Sequence, residues 1–290
     1  MGVEVEQSAL PEPINFSLNY SKQMLNDQDL ANLLQKRFEF DSAHSVSILL
    51  QKNNISEVGS ITLGEFLSSF RTINQLTLNL EDNFQIGSSI NCLFDKISIF
   101  SNTLTCLRLN FNYINLTDNG LESLSLALCQ YGNLRYLSLG LMANKISDSS
   151  LESFSRCLKN LKSITQLNLN LSKNQIEERG INTLLGSIAK IQNIKQLSLD
   201  LRQNNLKCQG VKSIAEILPQ LENLLSLNLQ LNRNRASEST FLTLCKKLKQ
   251  MKYLKHLKIN LLLSQLNKEI QQKVKQQLMK SKRLTDLSIF

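Results

Sequence analysis

Tryptophan is absent from the 290 residues, proline occurs three times and histidine twice. Two histidines, His44 and His256, leave little room for an imidazole-activated nucleophile or a histidine-rich metal site. No Cys-x-x-Cys pair occurs among Cys92, Cys106, Cys129, Cys157, Cys208 and Cys245. Lacking such spacing and a secretory signal, the six are expected to be reduced thiols in a cytosol-like compartment. Neither GxGxxG nor the GxxxxGK motif of a phosphate loop is present. No apolar run approaches the roughly 18 residues that cross a bilayer. The opening MGVEVEQSALPEP lacks the regions of a signal or transit peptide, and Glu6 stands where a myristoylation site has Ser or Thr. These absences predict a non-enzyme with no catalytic, cofactor-binding or metal residues, no cofactor and no transmembrane segment.

What the chain does have is a period. At 42% hydrophobic and 20% charged it can bury a sizeable core. Leu167, Leu169 and Leu171 alternate with polar residues, the period of a strand with one buried face. Equivalent triplets begin near residues 16, 46, 76, 107, 137, 167, 197, 227 and 257, and Leu287 with Ile289 closes the chain. Every interval is 30 residues except one of 31, where the segment ISIFSNTL holds the extra residue.

Seven residues after each triplet begins stand Asn53, Asn83, Asn144, Asn174, Asn204 and Asn234; Gln23, Ile114 and Ser264 depart from the rule. A carboxamide both donates and accepts, so a stack of these side chains would satisfy the backbone where it bends out of the sheet. Thirteen residues on stand Asp29, Gly59, Ser89, Gly120, Ser150, Gly180, Gly210 and Thr240, all favoured helix N-cap types. Apolar residues then take helical spacing, as in Ile181, Leu184, Leu185 and Ile188. Each unit therefore reads as strand, bend, helix and return, which stacks parallel strands into a solenoid.

The pattern LxxLxLxLxxNxI, here Ile164, Leu167, Leu169, Leu171, Asn174 and Ile176, resembles the leucine-rich repeat family. The glycine and long helix resemble its ribonuclease-inhibitor-like branch. The family pattern is LxxLxLxxNxL, so this chain carries two further residues before the Asn, which lengthens the strand. The resemblance implies an α/β leucine-rich repeat solenoid, with a parallel β-sheet on the concave side, α-helices on the convex side and about ten strands. It covers residues 14–290 as a single domain behind a 1–13 tail. It also implies a protein that works by offering a surface, whether as inhibitor, GTPase regulator, adaptor or structural subunit.

Two surfaces are candidates. The concave positions include Arg108, Asn110, Asn168, Asn170, Asp200, Asn228 and Gln230, with Arg108 and Arg202 as prospective anchors. They are mostly small and neutral, without large aromatics, so a solvated amide face is the plain alternative. The second surface is the carboxyl end, where residues 246–290 hold 12 Lys or Arg against Glu269 and Asp286. Lys246, Lys247, Lys249, Lys252, Lys255 and Lys258 lead into Lys268, Lys273, Lys275, Lys280, Lys282 and Arg283. Such a field attracts acidic surfaces such as tubulin tails, anionic lipid or nucleic acid. Nucleic acid is not favoured, because no aromatics interleave to stack bases; a solubilising cap is the plain alternative.

His44 and His256, at return positions seven repeats apart, should share no site, and Cys129 and Cys245 read as small core hydrophobes. Ile270, Val274 and Leu278 form one stripe before the last strand, whose C-terminal edge is expected to abut a neighbouring subunit. Pro11 and Pro13 block pairing before the first strand. The expected function is a non-catalytic protein-binding scaffold or structural subunit of a larger intracellular assembly, in the cytoplasm and in a cytoskeletal or ciliary setting. The alternatives are a soluble regulator of inhibitor or GTPase-activating type, and a binder of nucleic acid or acidic surfaces through the basic end.

Overall fold

The computed structural model describes residues 15–35, 43–260 and 284–289, with Gln272, Gln276 and Leu278. Ten strands form one sheet in chain order, every neighbouring pair parallel. They are β1 Asn15–Asn19, β2 Ser45–Leu49, β3 Gln75–Asn79, β4 Cys106–Asn110, β5 Tyr136–Gly140, and then β6 Gln166–Asn170, β7 Gln196–Asp200, β8 Ser226–Gln230, β9 His256–Asn260 and β10 Asp286–Ile289. Among the described residues eight α-helices with resolved bounds alternate with them: α1 Asp27–Leu34, α2 Glu57–Ser68, α3 Asn91–Ile97, α4 Asp118–Leu128, α5 Asp148–Leu158, α6 Glu178–Ile188, α7 Lys207–Ile217 and α8 Glu238–Leu248. This is the leucine-rich repeat architecture. The extra residue of the 31-residue repeat falls where a 3-10 turn, Ser98–Phe100, follows the short α3.

Leucine stacks on leucine through the register: Leu137 pairs with Leu167, Leu167 with Leu197 and Leu197 with Leu227. These rows and the inward helix faces make one core running from Phe16 to Leu278. The third leucine of each triplet lies just past the strand, yet its amide continues the ladder: Leu141 donates to the Asn170 carbonyl at 2.8 Å and Leu171 to Asp200 at 2.8 Å.

The residue before each bend position, whether Asn, Gln23 or Ile114, has a left-handed backbone, with φ of 54° to 60° at Lys22, Lys52, Asp82, Tyr113, Ala143, Lys173, Gln203 and Arg233. None is glycine, although a side chain costs about 1–2 kcal/mol in that conformation. Ala143→Gly should therefore raise stability by about 1 kcal/mol, less the extra unfolded-state entropy of glycine, as read from a urea midpoint.

The helix starts correct the sequence reading. In six helices the N-cap is three residues earlier than expected: Asn26, Ser56, Thr117, Ser147, Glu177 and Ser237, all in extended backbone. α3 and α7 instead follow Ile90 and Leu206, both in helical backbone. Asp29 is instead the third helical residue, reaching back to the Asn26 amide in a capping box. At that position Gly59 and Gly180 allow close packing on the preceding helix, while a Cβ on Gly120 or Gly210 would first meet Leu116 or Leu206 of its own repeat. A Cβ on Gly180 would lie 2.3 Å from Asp148 Oδ1 in the preceding helix.

A second correction concerns the thiols. Cys129, at the C-cap of α4, and Cys157, in the last turn of α5, form a disulfide with Cα atoms 4.7 Å apart. They are 28 residues apart, close to one repeat, so successive helices bring them side by side. Cys129 is accordingly a half-buried bridge rather than free core, and the redox argument for a cytosol-like compartment loses its footing. Peptide mapping without reductant should recover both residues in one cross-linked fragment. His256 also departs from expectation, since it opens β9 while His44 lies in the loop before β2. Ser89 falls inside the 3-10 turn Gly87–Ile90 rather than at a helix N-cap. Ser264, Ile270, Val274, Lys268 and Phe290 carry expectations that lie outside what is described. Leu278 is helical and fully buried.

Candidate interaction surfaces

Strand alternation turns every second residue outward, and seven strands build a shallow hollow of about 390 Å³ on the outer sheet face. Arg108, Asn110, Asn168, Asn170, Asp200 and Gln230 all line it. Gly140 sits at its centre, and a Cβ there would meet Asn110 Oδ1 at 2.6 Å.

The aromatic that the sequence reading missed is Tyr136. One residue before the leucine triplet has the same parity as the outward positions, so alternation carried one step back would have found it. The Arg108 guanidinium lies over its ring at 4.3 Å and donates to Cys106 Sγ at 2.7 Å. Tyr136 Oη accepts from Asn168 Nδ2 at 2.9 Å. Arg108 is thus held flat by a ring on the face, an arrangement suited to an anchor.

Arg202 is not available in the same way. Its Nε donates to Asp200 Oδ1 at 2.9 Å and its NH2 group to Oδ2 at 2.6 Å, forming a bidentate ion pair. That hydrogen bond raises its pKa. It lies past the end of β7 and outside the hollow. Asn228, within β8, is also outside the hollow, and its Nδ2 donates to Ser198 Oγ at 2.9 Å.

The basic end divides among three faces. Lys246 and Lys247 project from the last turn of α8, where their charge complements the negative end of the helix dipole. Lys249, Lys252 and Lys255 belong to the return loop before β9, and Lys258 stands outward on β9. Lys273, Lys275, Lys280, Lys282 and Arg283 lie outside the described residues.

Two side-chain relays tie one repeat to the next. At the bend, Asn174 Nδ2 donates to the carbonyls of Leu141 at 2.8 Å and Leu171 at 3.1 Å. Its Oδ1 accepts from the amides of Asn144 and Ile146, both at 3.2 Å. Asn53, Asn83, Asn144, Asn204 and Asn234 make related bonds to the preceding loop. At the helix starts, a first-turn side chain caps the following helix. Asp118 accepts from the Ser147 amide at 2.8 Å and its hydroxyl at 2.5 Å, and Asp148 from the Glu177 amide at 2.8 Å.

Burial opposes ionisation of Asp118, but hydrogen bonds from Ser147, Ser150 and Ser149 outweigh it and hold its carboxyl below the usual range. A depressed folded-state pKa gives stability present above the unfolded value, about 3.9, and lost as pH falls through the lower folded value. The stability gap between the native chain and Asp118→Ala should therefore be full at neutral pH and shrink in acid, as measured by denaturation midpoints.

Cys208 takes the carboxylate's place in one repeat, accepting from the Ser237 amide at 3.2 Å. Hydrogen bonds from Ser237 and Thr240 lower its pKa, whereas burial pushes Cys245 up to about 12. Iodoacetamide should accordingly modify Cys208 in the native protein and reach Cys245 only after unfolding, as read by mass spectrometry.

Among the described residues no group of three or more His, Cys, Asp or Glu could hold a metal ion. No helix among them is long and apolar enough to cross a membrane.

No family model matches the chain. No curated protein matches it either. Among solved structures, an internalin of Listeria monocytogenes overlaps 86% of this chain and 68% of its own at 17% identity, with a TM-score of 0.36. A leucine-rich repeat protein of Leptospira interrogans overlaps 93% of this chain and 90% of its own at 16% identity, with a TM-score of 0.27. Overlaps this loose carry no argument about binding, and the architecture rests on the chain's own ladder of parallel strands.

Proposed function

We propose that the chain is a non-catalytic protein-binding scaffold and a structural subunit of a larger assembly, engaging its partner on the outer sheet face. The observation that carries this reading is the hollow around Gly140, with Arg108 held over Tyr136 at its wall. Preorganised Arg and Tyr side chains amid neutral amides suit a protein surface, because little side-chain entropy remains to be lost on docking. We further assign the repeats to the ribonuclease-inhibitor-like branch and the assembly to an intracellular, cytoskeletal or ciliary setting. In that setting Lys246, Lys247 and Lys258, at the basic end, would meet acidic partners such as tubulin tails.

The test fills the hollow. Gly140→Leu and Arg108→Ala chains are used alongside the native chain to capture crosslinked partners from native extract. The reading predicts one stoichiometric partner whose recovery falls at least tenfold in both variants, for a lost anchor worth about 1.4 kcal/mol or more. Equal recovery with all three chains would refute it.

A further inference from the structure

The return loops, where each helix hands the chain back to the sheet, run side by side along one edge of the stack. Their register is fixed by backbone bonds: Thr165 donates to the Arg135 carbonyl at 2.9 Å, Lys195 to Thr165 at 2.8 Å, Leu225 to Lys195 at 2.9 Å and Lys255 to Leu225 at 2.9 Å. Every second rung of this ladder is therefore basic: Arg135, Lys195 and Lys255, all exposed. Lys159 and Lys162 add exposed charge in the intervening loop and Lys190 in the loop of Lys195, while Glu222 is the one carboxylate in the five return loops between β4 and β9. Among the described residues neither Arg135 nor Lys195 makes an ion pair. The charge that looks in sequence like a basic end is, in space, part of a basic rim.

Between Lys195 and Lys255 the rim dips into a second hollow of about 370 Å³, lined by Leu225, Tyr253, Gln192, Asn193 and Asn223. Tyr253 is 49% exposed, and Lys252 Nζ lies 5.0 Å from its ring. Asn193 and Asn223 donate their Nδ2 groups to the carbonyls of Lys162 at 3.0 Å and Gln192 at 2.8 Å. Each is left with Oδ1, an acceptor, on an exposed side chain.

We infer that this rim docks an extended acidic polypeptide segment with a carboxylate at about every third residue and an apolar side chain between two of them. Parallel rungs about 4.8 Å apart put alternate rungs about 9.6 Å apart, and an extended chain covers that in about three residues. The Leu225–Tyr253 hollow lies midway and takes the apolar side chain. The free Oδ1 acceptors suit peptide N–H groups and would repel phosphate oxygens, and a single aromatic gives nucleic acid no stacking platform. The inference is independent of the outer-face reading, since the rim shares no residue with the Gly140 hollow.

The test measures binding of a fluorescent peptide repeating Glu-Leu-Ser to the full chain. A peptide of equal composition with its carboxylates clustered and a single-stranded DNA of equal charge are run beside it. Lys195→Gln combined with Lys255→Gln should weaken the repeating peptide about tenfold, the loss expected of two exposed charge pairs near the upper end of their range. Tyr253→Ala should weaken it relative to a peptide repeating Glu-Ser-Ser. Lys145→Gln combined with Arg235→Gln, on the opposite edge, should leave binding within twofold, as should Gly140→Leu. Equal loss from the opposite-edge variant would reduce the rim to a diffuse field and overturn the proposal. So would equal binding of the clustered peptide, or tighter binding of the DNA; loss with Gly140→Leu alone would place the peptide on the outer face.

Discussion

Replacing Asn83 by Ala should destabilise the protein by about 3 kcal/mol, a large share of a typical folding free energy. The side chain is fully buried and donates to the carbonyls of Leu50 at 3.0 Å and Leu80 at 2.9 Å. Its Oδ1 accepts from the Ile55 amide at 3.0 Å. Truncation leaves the Ile55 amide and the Leu80 carbonyl buried without partners, each costing about 1–3 kcal/mol before relaxation, while the Leu50 carbonyl keeps its bond from Asn53 Nδ2 at 2.9 Å. Asn83→Asp separates this relay from mere volume. The new carboxylate could still accept from Ile55, but its second oxygen would face two carbonyls, so the folded state would favour the protonated acid. A folded-state pKa raised above the unfolded value, about 3.9, confers stability present below that value and lost as pH rises through the folded one. Asn83→Asp should therefore be less destabilised near pH 4 than near pH 7 when chemical denaturation is followed at both. Equal loss at the two pH values would mean that the donated bonds contribute little.

Gly180→Ala should destabilise by about 2 kcal/mol, although Ala inside a helix ordinarily stabilises by roughly 0.5–1 kcal/mol over Gly. The added methyl would sit 2.3 Å from Asp148 Oδ1, 2.8 Å from its Cγ and 3.1 Å from its Cα. It would displace the carboxylate that caps α6 through the Glu177 amide, and the backbone behind that carboxylate leaves no easy retreat. Gly186, in the same helix, has nothing within 4 Å of its would-be Cβ. Gly186→Ala should accordingly stabilise. Opposite signs for two Gly→Ala changes in one helix, read from urea midpoints, are the signature of helix–helix contact; matching signs would argue against it.

These two sites mark where sequence reasoning succeeds and where it stops. The leucine alternation displayed the strands, their parallel pairing and even the one long repeat, because each register position repeats the same chemistry against the same neighbour. The helix starts were misplaced because a small residue near an N-terminus reads equally as a cap or as a close contact. Gly180 is the contact, and only its distance to Asp148 decides between the two. The Cys129–Cys157 bond was hidden for a similar reason, since it joins different offsets in two repeats rather than one short motif. At the surfaces, residue type alone named Arg108 and Arg202 alike. The ring beneath one and the carboxylate clasping the other tell them apart. The basic rim is the least legible feature, because Arg135, Lys195 and Lys255 lie two repeats apart along the chain and meet only through the ladder of return loops.

The same relays bear on how the stack behaves. The bend Asn side chains and the carboxylates of Asp118 and Asp148 bond the adjacent repeat, so a repeat is incompletely hydrogen-bonded without its neighbour. A stack coupled in this way keeps the outer face and the return edge rigid over many strands, which a docking surface requires if affinity is not to be lost to ordering.

The most direct test of the central claim, that this chain serves as a fixed subunit docking by its surface, is its state in native extract. Sedimentation of the endogenous chain, with its partners quantified across the gradient, measures that state. The account predicts that nearly all of it moves in one heavy, stoichiometric complex, and that Gly140→Leu shifts it to the position of the lone chain. A native chain that already sediments alone, with only trace partners, would contradict the account.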